Sequence, residues 1–209
     1  MKYIFVAGAP GSKWSSVVKN IYYSADIDGS DYSNDRTYHH DASGELELMH
    51  LGAYWDPGME FGDWFDDLSK YDKKTCEKEF DRPFNSIGVR IVKSHVFCNH
   101  LEFIKQTWPD CAIVLVHREN DACLGWWVKC GHFDITYPSY AVYYKNLKNM
   151  AKTIKTQNAG IVAAQPKYIP GIYLLPKNNV DLCSMLRISA PPAEYKQTYA
   201  DNDIKVTVL

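Results

Sequence analysis

Three things are scarce in this 209-residue chain, and each scarcity excludes something. Charge imbalance is the first: 23 lysines and arginines face 25 aspartates and glutamates, a formal net charge of −2. So small an excess gives no general pull toward nucleic acid or acidic lipid, and any anion site has to be local. Long apolar runs are the second. No segment approaches the roughly 20 apolar residues that span a bilayer, and the run around Val6, Ala7 and Ala9 is shorter than a signal-peptide core. A soluble, cytoplasmic protein with no membrane and no nucleic-acid partner is expected. Paired cysteine is the third. Cys76, Cys98, Cys111, Cys123, Cys130 and Cys183 form no CxxC pair and no zinc-type Cys/His spacing, so reduced thiols and no metal are expected. His39 and His40 beside Asp41 read as surface, because three contiguous residues do not easily converge on one ion. There is no internal repeat and no low-complexity tract.

What is present is a globular composition, 46% hydrophobic and 23% charged, enough for a single domain over residues 1–209. Four short apolar runs, at residues 3–7, 89–92, 112–116 and 172–175, lack the alternation of a half-exposed strand. They suit a parallel sheet covered on both faces. The first three are each followed by a turn and a plausible helix, at 14–23, 99–107 and 121–128. The pattern predicts an α/β fold, a doubly wound, mainly parallel sheet flanked by helices. A long insertion, residues 25–88, follows the first helix. Its Asp-Gly and Pro-Gly turns and its aromatic content suggest either an acceptor-binding lid or a surface elaboration. Apolar residues at helical spacing predict a further helix over 140–155, with Lys145, Lys148, Lys152 and Lys155 on another face. Residues 180–188 suggest a helix, and 204–209 a final strand at a sheet edge.

The opening segment, KYIFVAGAPGSKWSSVVKNIYY, reads strand, glycine-rich loop, helix, the context in which backbone amides and a helix N-terminus cradle a phosphate. Gly8, Ala9, Pro10, Gly11, Ser12, Lys13, Trp14, Ser15 and Ser16 are the candidate nucleotide-binding residues. Lys13 is the cation, and the three serines are hydroxyl donors. The loop is not a Walker A sequence: counted from Gly8, Lys13-Trp14 stands where Gly-Lys is required, so the residues that hold a γ-phosphate and Mg²⁺ are missing. Two other segments carry chemistry. Lys93 and His95 sit two residues apart after an apolar run, and Arg118 follows another apolar run just before a helix.

These segments resemble the PAPS-dependent sulfotransferases, which share the P-loop type of fold. GAPGSKWSS is similar to that family's GAPRSGTS loop, matching at Gly8, Ala9, Pro10, Ser12 and Ser15, with Gly11 at the family's basic position and Lys13 at its glycine. VRIVKSHVF resembles PRIIKTHLP, and HRENDACLGWW resembles the family's 3′-phosphate segment. The resemblance implies His95 as general base, Lys93 and Lys13 as stabilisers of charge on the leaving group, and Arg118 as the grip on the 3′-phosphate. It implies Trp14 against the adenine, while Asp121, a short acidic side chain at the start of the next helix, is expected to cap it. A neutral imidazole suits proton removal from an attacking hydroxyl, and a cation suits the leaving oxygen. PAPS would be the donor and adenosine 3′,5′-bisphosphate the product, with a small-molecule or carbohydrate acceptor. The family's serine eight residues after the arginine is Trp126 here, and its C-terminal RKGxxGDWK segment has no counterpart after Tyr173; the GDW at residues 62–64 lies elsewhere in the order. A P-loop ATP-dependent small-molecule kinase and a non-catalytic nucleotide-binding descendant are the alternatives. The aromatic, acidic stretch at residues 54–64 would line an acceptor pocket of sugar, phenol or amine.

Overall fold

The computed structural model describes residues 1–31, 37–39, 47–49, 51–56, 67–129, 144–171, 174–195 and 203–209. Its central strand is β1 (Tyr3–Gly8), buried along its whole length. Around it runs a six-stranded sheet in the order β4 (Ala53–Tyr54), β5 (Arg90–Lys93), β1, β6 (Ala112–His117), β8 (Lys205–Val208) and β7 (Leu175–Pro176). The first four strands are parallel; β8 runs antiparallel to β6, and β7 antiparallel to β8. A separate antiparallel pair joins β2 (Thr37–His39) to β3 (Glu47–Met49). The helices named among the described residues are α1 (Trp14–Tyr22), α2 (Lys73–Asp81), α3 (Leu101–Thr107), α4 (Asn120–Lys129), α5 (Leu147–Tyr168) and α6 (Leu182–Leu186).

Successive side chains of a strand point to opposite faces, and β1 divides its residues accordingly. Ile4 and Val6 pack with Val17, Val18 and Ile21 of α1, Cys123 and Trp127 of α4, and Leu182 and Leu186 of α6. Tyr3, Phe5 and Ala7 pack with Cys76 and Phe80 of α2 and Leu101 and Ile104 of α3. The second face is strongly aromatic: Phe5 meets Phe80, Phe97 and Trp108 with ring centroids 5.3–5.5 Å apart. Such pairs add about 0.5–1.5 kcal/mol each beyond their buried area. The result is an α/β fold with helices on both faces of a mixed sheet, and the three strand–helix units expected from the sequence lie within a residue or two of their expected bounds.

Elsewhere the structure corrects the sequence. The terminal strand is not at an edge: β8 lies between β6 and β7. The run at 172–175 contributes only the two-residue β7, residues 172–173 lying outside the described residues. Of the helix expected over 140–155, residues 140–143 lie outside the described residues; α5 begins at Leu147, where Asn146 accepts a capping bond from the Asn149 amide, and continues past the expected end to Tyr168. Lys145 precedes it in the left-handed region, φ 64°. The helix expected over 180–188 is the shorter α6.

The insertion is not merely an appendage. It supplies β4 to the sheet and α2 to the core, with Trp55, Leu68, Cys76 and Phe80 fully buried. Residues 57–66, which include most of the aromatic stretch expected to line an acceptor pocket, lie outside the described residues.

Helix α5 passes from one face of the sheet to the other. Met150 and Ile154 join the α1 side and Ile161 the α2 side. It crosses at the C-terminal ends of the parallel strands, where Asn158 bonds the Arg118 carbonyl. A Cβ on Gly160 would come within 2.7 Å of the Cys98 carbonyl oxygen, so glycine permits that close crossing. Among the described residues no helix is long and apolar enough to cross a membrane.

Candidate functional site

In open α/β sheets ligands bind beyond the carboxyl ends of the parallel strands, where neighbouring connections diverge. Here that place is the end of β1, flanked by β5 and β6. After Gly8 the chain makes a tight turn in which the Ser12 amide donates to the Ala9 carbonyl at 3.0 Å. Pro10 and Gly11 (φ 80°) occupy the two central positions, the arrangement a type II turn favours. A Cβ at Gly11 would come within 2.1 Å of the Cys123 carbonyl oxygen, so the loop rests directly on the α4 backbone. The Ser12 amide is thus committed within the loop, as is the Ser16 amide, which donates to the Lys13 carbonyl.

Lys13 takes left-handed angles (φ 59°, ψ 32°) at the N-cap of α1 and makes no side-chain cap bond. Its ammonium lies 4.7 Å from the Trp126 ring centroid, toward α4. Ser16 Oγ donates to the Lys13 carbonyl and accepts from Lys177 Nζ at 2.9 Å. Lys177 is buried, so a second ammonium is held against the first turn of α1. An uncapped helix N-terminus carries partial positive charge, and a cation beside it is offset best by an anion. Ser12 Oγ is also buried, with no hydrogen-bond partner among the described residues.

Lys93 and His95 come together differently from the expected same-side pair on a strand. β5 ends at Lys93, and His95 is already helical (φ −63°, ψ −31°), opening the 3-10 turn Val96–Asn99. Both still meet Trp14. The imidazole stacks on the indole with centroids 3.9 Å apart, while Lys93 Nζ lies 5.7 Å from Trp14 and 5.6 Å from Tyr54. All three residues are buried: Lys93 is 0%, His95 4% and Trp14 4% exposed. Trp14 therefore presents its face to His95, the position the resemblance gave to adenine.

His95 Nδ1 lies 2.5 Å from the Gly8 carbonyl oxygen, which can only accept, so Nδ1 carries the proton. The lone pair of the neutral ring is then at Nε2, 3.5 Å from Asp56 Oδ2. Asp56 Oδ1 accepts from Ser94 Oγ (2.7 Å) and the His95 amide (3.1 Å). Burial pulls the His95 pKa below its ordinary value, aided by Lys93 and opposed by Asp56 and the Gly8 carbonyl.

Arg118 is occupied by protein oxygens. Its Nε donates to Asp203 (2.5 Å) and its Nη1 to the carbonyls of Gly11 (3.2 Å) and Ala122 (3.1 Å). It joins the loop after β1, the first turn of α4 and the segment leading into β8. Asp121 lies inside that first turn rather than at the cap, since α4 begins at Asn120. There a carboxylate still complements the helix dipole.

Sequence reasoning missed Asp56, Ser94, Asn158 and Lys177. Asp56 ends an Ala-Tyr-Trp-Asp run whose apolar start could have been read as a strand; the partnership of Lys177 with Ser16, 161 residues apart, leaves no local signal. Of the remaining histidines, His39 (the last residue of β2), His100 and His117 lie among the described residues, His117 buried at the end of β6. His40, His50 and His132 lie outside them. Among the described residues no group of three or more His, Cys, Asp or Glu is placed to hold a metal. Comparison with protein-family models, with curated proteins and with solved structures found no match to the chain.

Proposed function

We propose that the chain is a PAPS-dependent sulfotransferase, with the 5′-phosphosulfate against the first turn of α1 and the acceptor on the His95 side. The observation that supports this most is convergence. The three segments that resemble the family meet at one end of β1, where His95 bonds Gly8 and Arg118 bonds Gly11. The uncapped α1 terminus, buried Ser12 Oγ and the ammonium of Lys177 fit an anionic group. The other end of the nucleotide fits less well, since Arg118 would serve a 3′-phosphate by exchanging Asp203 for it.

PAPS supplies an activated sulfur whose leaving group is a phosphate oxygen. In the transfer, the acceptor oxygen bonds to sulfur, the sulfur–oxygen bond to the phosphate breaks, and the acceptor proton goes to His95 Nε2. Asp56 then stabilises the imidazolium, while Lys93 and Lys13 stabilise negative charge on the departing phosphate. At 4% exposure the acceptor reaches Nε2 only after the groups covering the ring move.

That same burial favours a second reading, a nucleotide-binding protein without catalysis, in which His95 braces the loop. The discriminating experiment is sulfuryl transfer from labelled PAPS to a panel of acceptors, comparing the wild type with His95→Asn. Asparagine can still donate to the Gly8 carbonyl. A turnover loss of about a hundredfold or more with adenosine 3′,5′-bisphosphate binding retained is expected for a general base. Undiminished turnover contradicts the role of His95, and binding without transfer to any acceptor selects the second reading.

A further inference from the structure

A cavity of about 430 Å³ lies between the 3-10 turn Val96–Asn99 and the N-terminal half of α5. That volume suits a small molecule rather than a macromolecular partner. Its wall is polar: Asn99 and Asn149 offer amides, Thr156 a hydroxyl, and Lys145 and Lys152 two ammonium groups. None of its described lining residues is acidic, so the two lysines give the cavity a local positive charge in a chain of net charge −2.

At its inner side stands Gln157, 2% exposed, whose Oε1 has no hydrogen-bond partner among the described residues. Buried polar atoms are normally satisfied. A hydroxyl group satisfies Gln157 whichever way its amide is turned, because it both donates and accepts. Lys145 adds a conformational argument. It adopts the left-handed region that non-glycine residues seldom take, and it lines the cavity.

We infer that this cavity binds a small polyhydroxylated anion, a sugar acid, with its carboxylate on Lys145 and Lys152 and a hydroxyl on Gln157. Val96, the residue after His95, lines the cavity while His95 itself does not, so in the transferase reading its occupant becomes the acceptor only once the His95 ring is uncovered. Only that acceptor role rests on the proposed function; the binding does not.

The test is calorimetric titration of the full chain, without nucleotide, using three probes. Glucuronate carries both hydroxyls and a carboxylate, glucose only hydroxyls, and inorganic sulfate only charge. Saturable glucuronate binding is expected, with glucose and sulfate each at least about tenfold weaker, the worth of roughly one charge-assisted hydrogen bond. Lys145→Gly and Lys152→Gln are each expected to weaken glucuronate about tenfold without lowering the melting temperature. Both side chains are exposed, and glycine accepts the angles at position 145, so the variants fold even if Gln157→Met does not. Absence of saturation, sulfate binding as tight as glucuronate, or a double lysine variant that binds like the wild type overturns the inference. Glucuronate that binds but is not sulfated from labelled PAPS leaves the site standing and removes its acceptor role. Sulfuryl transfer to a neutral alcohol without any glucuronate binding removes the site and leaves the transferase reading.

Discussion

The indole of Trp14 and the imidazole of His95 lie face to face, 3.9 Å apart and within 8° of parallel, joining the start of α1 to the end of β5. This packing keeps His95 out of water, and burial depresses its pKa. His117 is depressed for the same leading reason. In the unfolded chain both rings take up a proton near pH 6.5. Below that value, and above the folded pKa, the unfolded state holds more protons, so stability falls as the pH drops. The expected outcome is a melting temperature that is nearly level from pH 8 to 7 and declines from pH 6.5 toward 5. His95→Gln makes the decline shallower, and His117 keeps part of it. A decline of equal slope in that variant would show that His95 is not the buried neutral group described.

Two glycines should respond oppositely to the same change. Gly11→Ala forces a Cβ against the Cys123 carbonyl at a φ of 80°, and overpacking with left-handed strain predicts a loss of about 2–4 kcal/mol. Gly125 lies inside α4, and among the described residues nothing is within 4 Å of the place its Cβ would occupy. Gly125→Ala should therefore gain about 0.8–1 kcal/mol from helix propensity. Denaturant unfolding of both variants checks the pair.

Asp56 is fully buried and accepts from Ser94 Oγ and the His95 amide. Asp56→Asn keeps the shape, removes the negative charge and turns an acceptor into a competing donor. A stability loss of about 1–3 kcal/mol is expected. Because Asp56 raises the His95 pKa against burial, the variant should titrate at still lower pH. NMR titration of the His95 ring reads this directly; a rise would contradict the assigned contact.

The buried thiols provide a check on the core. Burial pushes Cys76 and Cys123 up to about 12 and Cys111 to about 11, and raises Cys98 as well. At pH 8 their thiolate fraction is therefore far lower than that of an ordinary thiol. Among the five described cysteines, half-buried Cys183 should be alkylated first. Site-resolved mass spectrometry after brief iodoacetamide treatment measures the order.

The β1–loop–α1 unit was legible because each step has a local cause. The apolar run ends at Gly8, Ala-Pro-Gly-Ser specifies a turn, and Trp14, Val17, Val18 and Ile21 repeat at helical spacing. The structural part of the insertion was less legible. α2 buries only Cys76 and Phe80 on an otherwise charged helix, and its one plain signal was Asp72 capping the Thr75 amide. The position of β8 inside the sheet depends on pairing with distant strands, which no short terminal run reveals. In the site, Lys93 and His95 were expected on one extended strand. Ser94 breaks that extension: its hydroxyl bonds Asp56 and accepts from the Val96 amide, turning the chain before His95. The neighbourhood was readable, but the orientation depended on Asp56, 39 residues earlier.

Titration of adenosine 3′,5′-bisphosphate in magnesium-free buffer tests most directly whether an anion binds where α1 begins. Saturable binding with a raised melting temperature is predicted, weakened about tenfold in Lys177→Met by loss of one charge-assisted contact. No binding, or stabilisation only by Mg²⁺-ATP, would contradict it.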